Sequence, residues 1–117
     1  MSERVRLPTR RPIITDRLAD PVTGHSWHLS TGFSTDGRGR EFFLDSSGRA
    51  GAPFDALVHD MAIVISRDCL QRGLSARDLL RNLSERPPSL LAAALAAVTA
   101  LEIEHGPHLA RLIKREE

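Results

Sequence analysis

TDGRGREFFLDSSGRAGAPFDALVHDMAIVISRDCLQRG, residues 35–73, carries four local signals in succession. Thr35-Asp36-Gly37-Arg38-Gly39 has the composition of a tight turn, because Asp-Gly between apolar runs supplies a residue that accepts positive φ. Glu41-Phe42-Phe43-Leu44-Asp45 reads as a short strand. Ser46-Ser47-Gly48-Arg49-Ala50-Gly51 is a small-residue joint, and Pro53 to Arg72 then has helical periodicity. There Phe54, Leu57, Val58, Met61, Ile65 and Cys69 recur at spacings of three and four, with Ala62 and Val64 widening the stripe. Pro53 suits a first helical turn and Gly73 the left-handed position beyond the last one.

Outward from this unit, the first half reads as β and the second as α. Pro8 and Pro12 keep the start extended. Ile13-Ile14-Thr15 opens a first strand running to about Leu18, and Asp20-Pro21-Val22-Thr23-Gly24 is a turn. A second strand covers roughly His25 to Ser34. It places Trp27, Leu29, Thr31 and Phe33 on one face and His28, Ser30 and Gly32 on the other. After Gly73, Ser75 with Asp78 has the pattern of a capping box ahead of a short helix buried through Leu79, Leu80 and Leu83. Pro87-Pro88 interrupts the chain, and Ser89 to about Glu104 is an Ala/Leu-rich helix. Gly106-Pro107 is expected to end it, with a last short helix to Lys114 through Leu109, Leu112 and Ile113. The expected fold class is α+β: a small three-stranded antiparallel meander followed by three or four helices packed on one face. The expected organisation is an Arg-rich arm at 1–12, an α+β domain at 13–105 and a short C-terminal helix or tail at 106–117.

Size and composition bound the function. The 117 residues suffice for one core, and 41% apolar with 26% charged residues is ordinary for a globular domain. Trp27, four Phe and no Tyr make that core aliphatic. The single cysteine, Cys69, leaves no intrachain disulfide or Cys-based zinc cage and reads as a small buried hydrophobe. No run reads as a membrane span or signal peptide, so cytoplasmic residence is the default expectation. A net charge of +1 argues against a nucleic-acid surface. The arginines at 4, 6, 10 and 11 nevertheless make the first twelve residues basic.

Few residues propose chemistry. His25/His28 and His105/His108 each form an H-x-x-H, but the first pair lies on a strand, where the two face opposite ways. The second straddles Gly106-Pro107. Neither has a completing ligand, so no metal is expected. His59, Asp60 and Ser66 come from one helix and do not converge as a triad. Gly48 and Gly51 before a helix invite an anion at its N-terminus, with Arg49 helping, although the phosphate-loop spacing is missing.

An ordered set of residues carries a family resemblance. It comprises Arg6-Leu7-Pro8 with Arg10-Arg11, Ile14-Thr15, Gly32, Asp36-Gly37-Arg38, and Glu41 with Phe43-Leu44. Asp60, Ala62-Ile63-Val64, Ser66, Leu70-Gln71, Gly73 and Pro88 through Leu95 continue it. Together they resemble the TSCPD-type domain at the C-terminus of cobalamin-dependent (class II) ribonucleotide reductases, and the small bacterial proteins that carry this domain alone. The resemblance spans roughly residues 6 to 95. Arg49 stands where the family often has Lys, Ser66 to Gln71 is one residue longer than the family spacing, and the family's cysteines and catalytic barrel are absent. The resemblance implies a non-catalytic accessory module, without a cofactor of its own, acting through a protein partner in nucleotide metabolism. A ribonucleotide reductase is one candidate partner, and the Ala-rich helix offers a homodimer interface. Arg10, Arg11, Asp36, Arg38, Glu41, Arg49 and Gly51 are the expected partner- or anion-binding residues. The alternatives are a small-ligand or nucleotide-binding regulatory domain, and a subunit required for ribonucleoside-diphosphate reductase activity.

Overall fold

The computed structural model describes residues 7, 11–46, 52–83 and 89–116. Three antiparallel strands, β1 (Ile13–Ala19), β2 (Ser26–Phe33) and β3 (Gly39–Ser46), form a meander in the order β1-β2-β3. Helices α1 (Ala52–Asp68), α2 (Ala76–Leu80) and α3 (Leu90–Glu116) follow, with a 3₁₀ turn at Leu70–Arg72 between the first two. This is the α+β architecture read from the sequence.

Register fixes the two faces of the sheet. Leu29 lies opposite Leu44, and Thr31 opposite Phe42. Residues directly across an antiparallel pair share a face, so these four and Trp27 point the same way, and all five are buried. Helices α1 and α3 cover that face, adding Val58, Ala62, Ala94, Leu95 and Val98 to the core. The opposite face carries Thr15, whose hydroxyl is 3.0 Å from that of Ser30, and Gly32 opposite Glu41.

Two helical expectations need correction. The buried line of α1 is Val58, Ala62 and Ser66, continued by Leu70, whereas Leu57 (66% exposed) and Val64 (55%) face outward and Phe54 is at the margin. Small side chains at 62 and 66 let the helix axis settle close to β3, and this turns the bulkier neighbours away. Ser66 is also a structural hydroxyl: its Oγ accepts the Phe42 N–H at 2.9 Å and lies 2.7 Å from the Ala62 carbonyl. The second correction concerns Gly106-Pro107, which does not end a helix. Helix α3 is continuous from Leu90 to Glu116 with Pro107 inside it. Gly106 is buried, and a Cβ there would lie 2.6 Å from the Gly37 carbonyl oxygen. It therefore serves a close helix–turn approach rather than a helix stop.

The local stop and start signals at 73–78 behave as read. Gly73 adopts φ 111° and its N–H bonds the Leu70 carbonyl at 3.3 Å. Ser75 and Asp78 form a reciprocal capping box with bonds of 3.0 and 3.1 Å. The stretch from Ser66 to Gln71 contains the α-to-3₁₀ change, where helical register shifts. Cys69 is a half-buried free thiol at this junction.

The expectation that no run is apolar and long enough to span a membrane needs correction: Leu90–Leu112 of α3 is so by length and composition, once the helix continues through Gly106-Pro107. One side of it packs against α2 and the sheet through Leu90, Ala94, Leu95, Val98 and Leu109, while Ile103 and Leu112 are exposed.

Candidate functional site

The Asp36-Gly37 turn joins β2 to β3 and is tied from several directions. Gly37, at φ 80°, donates its N–H to the Ser34 carbonyl at 2.9 Å. The Asp36 carboxylate accepts the Arg38 N–H at 3.1 Å and the Ser34 hydroxyl, forming an Asx-type turn. Arg40, on the core side of β3 with Phe42 and Leu44, is 6% exposed. Its guanidinium donates to Asp36 Oδ2 at 2.9 Å, to the Leu70 carbonyl at 2.8 Å and to Ser34 Oγ at 3.3 Å. A guanidinium fork can satisfy three acceptors at once, which makes its burial tolerable. Arg40 thus clamps the turn to the 3₁₀ turn behind α1.

From the other side, Glu102 of α3 accepts the Gly39 N–H at 2.8 Å. Burial pushes the Glu102 carboxyl above its ordinary range, against the opposing pull of the Gly39 amide, Arg38 and Arg40. Asp36 is shifted the other way. Burial works against its charge, but the bonds from Ser34, Arg38 and Arg40 hold its carboxyl below the ordinary value.

Among the described residues expected to bind a partner or an anion, not all are at the surface. Asp36 is exposed and Arg38 half-buried at the turn. Glu41 is not at the surface: it is 4% exposed, lies over Gly32 and is held by Arg11, whose Nη2 is 3.1 Å from Oε1 and whose Nε also pairs with it. That pair lies on the sheet face opposite the helices, because Glu41 and Gly32 alternate with the core residues. Arg10, Arg49 and Gly51 lie outside the described residues. The sequence reading missed Arg40, Glu102 and Ser66. Counting back by two from Phe42 places Arg40 on the core side, and Glu102 is the first acid in an Ala/Leu-rich helix, so both left a signal. The role of Ser66 left none.

The histidine pairs resolve differently. His25 Nε2 lies 2.7 Å from Ser46 Oγ, and its ring meets Trp27 edge-on at 5.5 Å. His105 and His108, expected on either side of a helix end, share the continuous α3, with His105 3.7 Å from Glu104. Among the described residues no group of three or more His, Cys, Asp or Glu side chains could hold a metal ion. His59 and Asp60 are both exposed while Ser66 is buried, so the three do not converge.

A second feature is an open cleft of about 400 Å³ where the end of β3 meets the start of α1. Its walls include Trp27, Asp45, Ser46, Asp55 and His59.

A relative is identifiable for part of the chain. Over 64 residues, 55% of its length, the chain is 42% identical to the vitamin B12-dependent ribonucleotide reductase of Agrobacterium fabrum (strain C58 / ATCC 33970). It spans 5% of that protein's length. The similarity relates this chain to a small region of the reductase. No family model matches the chain, and no solved structure matches it.

Proposed function

We propose that this chain is an accessory interaction module of the TSCPD type, acting through a protein partner in cytoplasmic nucleotide metabolism, with a ribonucleotide reductase as the first candidate. The observation that carries this reading is the 42% identity to one small region of a B12-dependent ribonucleotide reductase. A region of that size in a large enzyme has its own surface toward the rest of the enzyme, and a related separate domain can present the same surface to a partner chain. The β2–β3 turn suits such a contact. Arg40 and Glu102 brace it from behind, while Asp36 and Arg38 stand at its tip, so little ordering is left to be paid on binding.

The test is affinity purification of the tagged chain with mass spectrometry, alongside an Arg38→Ala variant. The reading expects a ribonucleotide reductase or another nucleotide-handling enzyme to be recovered with the native chain and reduced at least about tenfold with the variant. Recovery that is the same for both proteins removes the turn from the interface. Finding no nucleotide-metabolism protein with either removes the proposed role.

A further inference from the structure

Two residues that line the cleft between β3 and α1 each carry a buried polar atom that the fold leaves unpaired. Trp27 is 1% exposed, and its indole Nε1 has no hydrogen-bond partner. Asp55, in the first turn of α1, has a buried Oδ1 that also lacks one. Both residues line the cleft, whose volume falls within the range usual for small-molecule sites. An indole N–H can only donate and a carboxylate can only accept, so the wall holds one unused donor and one unused acceptor. Folding has already stripped both atoms of water, and a group that reached them would gain hydrogen bonds without a further desolvation cost on the protein side.

The charge around the cleft selects the ligand. Asp45 and Asp55 line it, and the described lining has no Lys or Arg; His59 is its one basic side chain. The two carboxylates, Asp45 and Asp55, disfavour a phosphate. We propose that the cleft binds a small phosphate-free molecule bearing an amino group beside an acceptor. The amino group bonds the Asp55 carboxylate and the acceptor takes the Trp27 N–H. Asp55 is half-buried, and in the bound state its side chain turns to open the wall, because both atoms are closed to solvent without ligand. The exocyclic amine and ring nitrogen of adenine or cytosine have this chemistry, and so does an alkyl ammonium beside a carbonyl or hydroxyl.

Trp27 is the only tryptophan, so intrinsic fluorescence reports directly on the site. The intact chain is titrated with adenosine, cytidine, ethanolamine and glycinamide as separate arms, and with AMP for the effect of a phosphate. The proposal expects a saturable Trp27 response to the nucleosides or to the alkyl amines, which identifies the source. AMP should bind more weakly than adenosine, and Asp55→Asn should raise Kd at least about tenfold. Trp27→Phe keeps an aromatic ring but loses the donor, and calorimetry should show weakened binding with it; circular dichroism confirms that each variant is folded. Binding unaffected by Asp55→Asn, or no saturable response from the folded native chain at about 10 mM of any probe, overturns the assignment.

Discussion

At the scale of single residues, the best-defined contributions come from polar side chains placed where an apolar one would be expected. Ser66 bridges α1 to β3 by accepting the Phe42 N–H while its hydroxyl turns back on the Ala62 carbonyl. Alanine at 66 fills nearly the same volume, but the buried Phe42 N–H loses its acceptor. A buried, unpaired amide costs about 1–3 kcal/mol, so Ser66→Ala should lower unfolding free energy by that amount in urea titrations. Cysteine, of similar size but a weak acceptor, should recover little of the loss. An alanine variant as stable as the native chain would mean that Phe42 finds another acceptor. The sequence gives no warning of this role, because a serine in the middle of a helix also fits a solvated position. Arg40 was more legible. The alternation that buries Phe42 and Leu44 applies to it as well, and only the apparent start of the strand at Glu41 concealed it.

Among elements, legibility followed the range of the controlling interaction. The strands, the Asp36-Gly37 turn, the Gly73 stop and the Ser75–Asp78 cap are decided by residues within a few positions of each other, and they fold as read. The orientation of α1 and the length of α3 are decided by contacts distant in sequence, and there the local reading failed. Leu57 has the apolarity of a core residue, but the close approach allowed by Ala62 and Ser66 chose a different line. Gly106-Pro107 has the composition of a helix end, yet packing of Leu109 and the approach of Gly106 to Gly37 carry the helix through it. The cost of that continuation remains local: Pro107 has no N–H for the Ile103 carbonyl, and its ring crowds the preceding turn. Pro107 is exposed, so Pro107→Ala removes no core contact. It should stabilise the chain by about 1–3 kcal/mol, up to the full helix-propensity difference, seen as a raised midpoint of thermal unfolding. A lower midpoint would show that a proline bend is what brings Gly106 onto the turn.

For the whole molecule, the contact between α3 and the β2–β3 turn joins the last element to the sheet, and its two carboxylates respond to pH in opposite directions. The folded pKa of Glu102 is raised above its ordinary 4.5, chiefly by burial, so the folded state holds that proton more tightly than the unfolded chain. Stability from this group is present below 4.5 and is lost as pH rises through the higher folded value. Asp36 behaves in reverse. Burial opposes its charge, but Ser34, Arg38 and Arg40 bring its folded pKa below 3.8, so its contribution is present above 3.8 and is lost as pH falls through the lower folded value. The two contributions are jointly greatest between 3.8 and 4.5. Glutamine at 102 keeps an oxygen to accept the Gly39 N–H but carries no charge. Glu102→Gln should therefore be at least as stable as the native chain at about pH 7, and should not show the decline that Glu102 produces as pH rises above 4.5. Asp36→Asn should leave that decline in place and remove the acid-side loss instead. Denaturant midpoints of the three proteins across this range separate the groups. If Glu102→Gln is less stable at neutral pH, the pull of Arg38 and Arg40 on the charged carboxylate exceeds its burial cost, and the contact between helix and turn is held by charge.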